Sequence, residues 1–365
     1  MIDSKSPPVD RIPPGIRGAE DYETLAAQHL AAPTLAYLAG GSGDDRTLRW
    51  NREALDRARL KPRVFARLDH ASTTVTVLGR PLAHPLLLAP VACQGLVHPG
   101  AEVDIAHGAA ATDTPLVLSS LATRPLEEVA AAATAGWWYQ LWLGADRTDS
   151  LARLRRAERA GCSAIVVTVD AAVQLPSRRA LRAGFTMPPG LSADPPPCFA
   201  HADTPFGRYR AAAVRREDLC WLVETSTVPV VVKGILHEAD AGVCRELGVA
   251  GVVVSNHGGR TIDGVVASFD ALPRIRSVLG DTCAVLFDGG VRSGADVLKA
   301  IAAGADAVLI GRLQIFALAV AGALGVAHML KLLREELALT MAVTGCADLR
   351  TARDADLFVT GRGAD

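Results

Sequence analysis

Apolar residues gather in eight short runs between residues 86 and 312. They are 86–92 (LLLAPVA), 115–120 (PLVLSS), 137–143 (WWYQLWL), 163–170 (SAIVVTVD), 229–235 (PVVVKGI), 251–257 (GVVVSNH), 284–290 (AVLFDGG) and 307–312 (AVLIGR). Each run is apolar through most of its length instead of alternating. That is the pattern of a strand buried on both faces in a parallel sheet. Ala-, Leu- and Arg-rich stretches of helical character separate most of them, at 101–112, 125–135, 148–160, 238–247, 268–279, 294–303 and 313–340. Eight strands alternating with helices predict an α/β fold, a (β/α)8 TIM barrel. A doubly wound open sheet is the alternative, but no GxGxxG turn follows the first strand to support it.

The flanks break this rhythm. Ala19 to Leu38 reads as one helix, with Tyr22, Leu25, Ala26 and His29-Leu30 near helical spacing, and Gly40, Gly41 and Gly43 end it. Asp44 to Leu60 reads as a second helix, and residues 73–79 as a small strand outside the main repeat. The barrel therefore carries an N-terminal helical extension. The gap at 171–228 contains Asp194-Pro195-Pro196-Pro197 and lacks clean periodicity until about Arg215. It reads as a long loop after strand 4, a lid over the barrel mouth. The predicted organisation is a flexible Pro-rich tail at 1–18, a single barrel domain at 19–345 with an insertion at 171–214, and a C-terminal tail at 346–365.

Composition narrows the class. A chain of 365 residues, half of them hydrophobic, can bury a large core. With 38 basic and 39 acidic residues the net charge is -1, which gives no reason to expect nucleic acid or an anionic membrane as partner. Seven dispersed cysteines without a CxxC pair suit reduced thiols in a cytoplasmic protein, and no metal site is expected. No apolar run reaches membrane-spanning length without a charge or glycine break, and MIDSKSPPVDRIPPG lacks the apolar core of a secretory signal.

In a barrel the C-terminal strand ends face the active site. Read in order, those ends offer Val91 and Ala92, Ser119 and Ser120, Gln140 and Trp142, Thr168 and Asp170, Lys233, Ser255, His257 and Arg260, Asp288 to Arg292, and Gly311 with Arg312. A single Ser or Thr here can be a strand-end cap. Lys233, His257 and Asp170 together are harder to dismiss, because burying ionisable groups without a task is costly. The run Phe287 to Gly294 (FDGGVRSG) opens a helix with glycines and an arginine, and Gly311-Arg312 ends the next strand. Backbone N–H groups, a helix N-terminus and two guanidiniums make a phosphate cradle, at the place where barrels commonly hold one. The plainer alternative is tight-turn glycines with solvated arginines.

SNHGGR followed by Asp263-Gly264, VVVKG, DGGVRSGADVLKAIAAGADAVLIGR, YLAGGSGDDRTLRWN, LAPVACQGLVHPGAE and AIVVTVDAAV together resemble the FMN-dependent α-hydroxy-acid oxidase and dehydrogenase family. That family includes glycolate, lactate and mandelate oxidases. The likeness runs from about Tyr37 to Leu318, in family order and spacing. It implies FMN as cofactor and a homo-oligomer, commonly a tetramer. It implies that His257 takes a proton from the substrate as a hydride equivalent reaches the flavin, with Asp170 holding His257. Lys233 would stabilise the reduced flavin. Arg260 and Tyr37 would bind the substrate carboxylate. Ser119, Gln140 and Thr168 would hydrogen-bond the flavin ring, with the backbone of Val91 and Ala92 against it. Ser255, Asp288, Gly290, Arg292, Gly311 and Arg312 would complete the cofactor site.

The chain departs from the family at three positions. A tyrosine usual two residues after the strand-3 glutamine is Trp142, and a bulky tryptophan usual after the strand-2 serines is Leu121. A second carboxylate-binding arginine falls on Ser177, with Arg178 and Arg179 next to it and Arg178 the nearer substitute. The expected activity is oxidation of a 2-hydroxy acid, or a related α-hydroxy or α-amino compound with a bulky or aryl side chain, to the 2-oxo product. The flavin would be reoxidised by oxygen or another acceptor. Other readings are a redox-neutral flavin isomerase, a flavin protein that has lost turnover, and a Schiff-base lyase using Lys233.

Overall fold

The computed structural model describes residues 8–144, 146–194, 202–353 and 357–359. Pro195 to Pro197 and Cys198 of the expected lid lie outside the described residues, as do the first seven residues and much of the end of the chain. Eight parallel strands close into a barrel: β1 (Leu86–Leu88), β2 (Leu116–Ser119), β3 (Trp137–Leu141), β4 (Ile165–Thr168), β5 (Val230–Ile235), β6 (Gly251–Val254), β7 (Ala284–Phe287) and β8 (Ala307–Ile310). β8 pairs with β1 through Val308–Leu86, Leu309–Leu87 and Ile310–Leu88, so no edge is left open. The open-sheet alternative is therefore excluded. Nearly every strand residue is buried, as continuous apolar runs require.

Alternate strand residues serve two cores. Leu86, Leu88, Val230, Val232, Val252 and Val254 face the surrounding helices. Leu87, Val117, Trp138, Val166, Val231, Val253, Leu286 and Leu309 fill the barrel interior. A hairpin, Val75–Val77 paired antiparallel with Arg80–Leu82, adds Val77 to that inner cluster and closes the barrel floor. The sequence pattern had suggested only its first strand.

The expected Ala19–Leu38 helix is two helices, α1 (Asp21–His29) and α2 (Ala32–Ala39). Leu30 and Ala31 are extended and Pro33 sits in the first turn of α2. Proline has no N–H to donate and collides with the preceding turn, so it restarts a helix rather than continuing one. The next expected helix is shorter than 44–60: α3 spans Arg46–Arg57, and Ala58–Leu60 turns into a strand paired with Leu357–Val359. The expected C-terminal tail thus contains that strand and a helix at Leu349–Arg353. The loop after β4 also holds more structure than expected, with helices at Arg178–Arg182 and Pro205–Ala212. The last long helix, Arg312–Thr344, is apolar and long enough by composition to cross a membrane, but 78% of its apolar window is buried inside the protein. It breaks at Ala321 and Gly322, where the backbone leaves helical geometry. Every described cysteine is a free thiol.

Candidate active site

Two residues beyond each inner apolar position, the same face of the strand reaches the barrel mouth. There the residues are Ala89, Ser119, Gln140, Thr168, Lys233, Ser255, Asp288 and Gly311. Strand alternation, not loop chemistry, thus places six polar side chains in one buried layer above an apolar one. Lys233 is 4% exposed; its Nζ lies 2.9 Å from Asp288 Oδ2 and donates to Ser255 Oγ at 2.9 Å. Ser255 Oγ in turn donates to Asp288 Oδ1 at 2.6 Å. Burial pulls the Lys233 pKa down, but the charges of Asp288 and Asp170 more than reverse this, so it lies above the ordinary lysine value.

His257 stands just past β6 in a left-handed backbone conformation, φ 58°. Its Nδ1 is 3.0 Å from Asp170 Oδ1, just past β4. Burial pushes the Asp170 carboxyl up. The charge and hydrogen bond of His257, with Lys233 behind them, outweigh it and hold Asp170 below the usual carboxylate value. The carboxylate fits because the neighbouring position on β5 is Gly234: a Cβ there would stand 2.5 Å from Asp170 Cβ. This gives a physical reason for the glycine of VVVKG. With Nδ1 committed to Asp170, Nε2 is the nitrogen able to take a proton.

Cations dominate the side of the mouth formed by α2 and the last two strands. Arg312 spends its guanidinium on three backbone carbonyls: Leu38 O at 3.0 Å, Gly258 O at 3.0 Å and Gly40 O at 2.7 Å. Desolvation, then the nearby Arg260 and Arg292 charges, pull its pKa down, so an anion here would relieve repulsion. Arg292 is held by Glu23, Nε to Oε2 at 2.7 Å. Arg260 Nη1 donates to Tyr37 O at 2.8 Å and Gly40 O at 3.2 Å, and its guanidinium lies 4.6 Å from the Tyr37 ring centre. Tyr37 stacks on Phe185 at 4.2 Å. Arg260, Tyr37 and Phe185 share a cavity of about 280 Å³ with Leu175, Pro176, Ser177, Ala180 and Leu181.

Most of the expected site residues therefore meet at one mouth. Val91 and Ala92 lie just past β1, with Ala92 exposed to the mouth, and Trp142 is half-buried just past β3. Arg178 is turned away: its Nη1 pairs with Asp44, while Arg179 pairs with Asp45 at 2.7 Å. Ser177 caps the short helix that follows, accepting from Ala180 N at 3.3 Å. Several residues that organise the site carried no chemical signal in the sequence. Asn51 and Arg52 on α3, Asn256, Asp263 and Asp296 hold the site turns through hydrogen bonds that span more than 200 positions in most cases. Their only cue was that Asn51, Asn256, Asp263 and Asp296 lie within the motifs that carry the family likeness, with Arg52 next to one of them.

Buried polar atoms left without a partner are a test for a missing group. Among the described residues these include Gln140 Nε2, Ser120 Oγ and Asp170 Oδ2, all at the mouth. They suit a planar, polar ring above the barrel, and the cation-rich glycine turns at its other end suit a phosphate. The set fits flavin mononucleotide: Ser119, Gln140, Thr168 and Lys233 at the ring, with Arg292, Gly311 and Arg312 at the phosphate.

Comparison with known proteins agrees. The family described as "FMN-dependent dehydrogenase" matches residues 26–358. An L-lactate oxidase from Alicycliphilus denitrificans is 49% identical over 94% of this chain and 96% of its own length. A 4-hydroxymandelate oxidase from Amycolatopsis orientalis is 41% identical over 91% of this chain and 96% of its own. The crystal structure of mandelate oxidase with (S)-2-phenylpropionate superposes with a TM-score of 0.87 at 38% identity, covering 94% of this chain and 98% of that one.

Proposed function

This chain belongs to the FMN-dependent dehydrogenase family, and from that premise we propose that it oxidises a 2-hydroxy acid to the 2-oxo acid, with His257 as the base. The observation that carries the reading is the His257–Asp170 pair, 3.0 Å apart, beside buried Lys233 and the Arg260 cavity. Bound FMN supplies the acceptor for the two electrons leaving the substrate. His257 Nε2 takes a proton from the substrate, and Asp170 fixes the tautomer and balances the imidazolium. Lys233 keeps a positive charge in the buried layer, where electrostatic stabilisation is strongest. Arg260, locked by two carbonyls and Tyr37, receives the carboxylate.

A Schiff-base lyase needs a neutral lysine amine. Asp288 and Asp170 hold Lys233 cationic, which counts against it. The oxidases among the relatives likewise favour net oxidation over redox-neutral chemistry.

For the side chain of the substrate, the cavity favours bulk. Its apolar wall of Leu175, Pro176, Leu181 and Phe185 suits an aryl or branched group, and Ser177 adds no charge. The lactate oxidase relative supports a second reading, a small hydroxy acid. Anaerobic titration with glycolate, lactate and mandelate, following the flavin band, separates them. Tighter half-saturation and faster bleaching by mandelate are expected; preference for lactate moves the assignment to the small acid. No bleaching by any 2-hydroxy acid would overturn the function itself. We read the chain further as a cytoplasmic homo-oligomer. Exposed Leu339 and Val343 offer apolar surface for assembly, and analytical ultracentrifugation tests it.

A further inference from the structure

We infer that Asn51 and Arg52, neighbours on α3, are positioning residues that divide the site between them: Asn51 sets the turn carrying His257, and Arg52 sets the turn offered to the cofactor phosphate. The inference rests on the function proposed above.

The His257 turn is unusual in its backbone. His257, Gly258 and Gly259 follow one another with φ of 58°, 62° and 74°. A histidine in this region is strained, and such conformations persist only where surroundings over-determine them. The surroundings are α3. Asn51 and Asn256 exchange two hydrogen bonds, Asn51 Nδ2 to Asn256 Oδ1 at 2.8 Å and Asn256 Nδ2 to Asn51 Oδ1 at 2.7 Å. Both are 1% exposed. Asn256 Oδ1 also accepts from Gly259 N at 3.1 Å, and Asn51 Oδ1 from Ser268 N at 3.3 Å. The amide pair therefore grips both ends of the loop that follows β6. The fit is close: a Cβ on Gly259 would stand 2.8 Å from Leu48 N of α3.

One residue along α3, Arg52 reaches the other turn. Its Nη1 donates to Gly290 O at 2.7 Å and to Asp296 Oδ2 at 2.6 Å, and its Nη2 to Asp296 Oδ1 at 2.7 Å. Asp296 Oδ2 accepts from Arg292 N at 2.9 Å and Ser293 N at 3.2 Å. Arg52 thus holds the Gly290–Ser293 backbone from outside, and its remaining N–H groups go to Asp56. A Cβ on Gly290 would stand 2.7 Å from Asn51 O. Glycine at 259 and 290 is required by the docking of α3, in addition to any need of a phosphate.

The test uses full-length protein and four variants, Asn51→Ala, Asn51→Asp, Arg52→Ala and Arg52→Lys, each checked for folding by circular dichroism. FMN affinity of the apoprotein is read by flavin fluorescence, flavin reduction by anaerobic stopped flow at saturating FMN, and the His257 imidazole by NMR of FMN-loaded protein. Asn51→Ala is expected to slow reduction about 10- to 100-fold, as a small misplacement of a reacting group does. In the NMR measurement the His257 ring signals should also differ from those of the wild type, with Asp170 and Lys233 unchanged. Arg52→Ala is expected to weaken FMN binding about 10- to 100-fold, the scale of a lost charged hydrogen bond, with Arg52→Lys between it and the wild type. Asn51→Asp, which loses the donor to Asn256, should follow Asn51→Ala. The inference is overturned if folded variants at both positions alter FMN affinity and the His257 signals equally, or alter neither. A wild type that binds FMN but is bleached by no 2-hydroxy acid would sink the proposed function instead; FMN affinity and the NMR measurement would still decide this inference.

Discussion

The floor and the mouth of the barrel are lined by the same eight strands and differ by one step of strand alternation. At the floor, Leu87, Val117, Trp138, Val231 and Leu286 pack around a hairpin that excludes solvent. One layer up, the same faces present Ser119, Gln140, Lys233, Ser255 and Asp288, all buried and mostly bonded to each other. The floor is stabilised by burial, which is non-directional and tolerates similar shapes. The mouth depends on pairing, where removing one partner leaves another stranded. The two layers should therefore fail differently: floor variants in stability, mouth variants in chemistry.

The largest effect should come from the mouth. His257→Ala is expected to slow anaerobic flavin reduction about 10²- to 10⁴-fold, the usual worth of a general base, while FMN stays bound. Stopped-flow absorbance measures this, and a loss below about tenfold would place the base elsewhere. Next is Lys233→Ala, which strands Asp288 in a buried layer and should cost roughly 3–5 kcal/mol of stability as well as activity. Pairing it with Asp288→Asn should return part of the stability in thermal melts but not the activity. At the floor, Leu286→Ala should cost about 2–5 kcal/mol in denaturant unfolding. The folded fraction should reduce its flavin at a rate near wild type; a large rate loss would break the floor-and-mouth distinction.

A smaller effect concerns acid. Burial raises the Asp296 carboxyl, but Arg52 and the Arg292 N–H overcome it, so its folded pKa lies below the model-compound value of 3.8. A depressed carboxylate contributes stability that is present above the unfolded pKa and lost as pH falls through the folded one. Asp296→Asn should therefore lower the melting temperature at pH 6 and flatten its dependence below about pH 4. The smallest effect should be that of Arg178→Ala. Its exposed pair with Asp44 is worth at most about 1 kcal/mol, and KM should change less than about threefold. A tenfold rise in KM would bring this arginine into the carboxylate site despite its present pairing.

The sequence made the strands legible because burial on both faces leaves uninterrupted apolar runs. It made the ionisable residues at their ends legible because charge is conspicuous in such runs. One helix was expected through Leu30 although Pro33 marks where it restarts, whereas the strand at Ala58–Leu60 has no local mark, since its partner lies about 300 residues away. Asn51 closes a motif of the family likeness, but its chemistry looked like that of any polar residue on a helix. Nothing local tells that its amide meets Asn256. Arg178 and Arg179 were equally ambiguous, because the choice between a substrate carboxylate and Asp44 or Asp45 depends on where the 40–45 turn lies.

By itself, then, the sequence determined the barrel and the layer of polar strand ends that includes Lys233, with His257 and Asp170 just beyond it, because periodicity is a local property of a chain. Only the tertiary structure decided that Arg178 and Arg179 pair with Asp44 and Asp45, why glycine stands at 234, 259 and 290, and that α3 braces the site from outside. Those outcomes depend on atoms brought within 3 Å of one another across long stretches of chain. No local pattern encodes such distances.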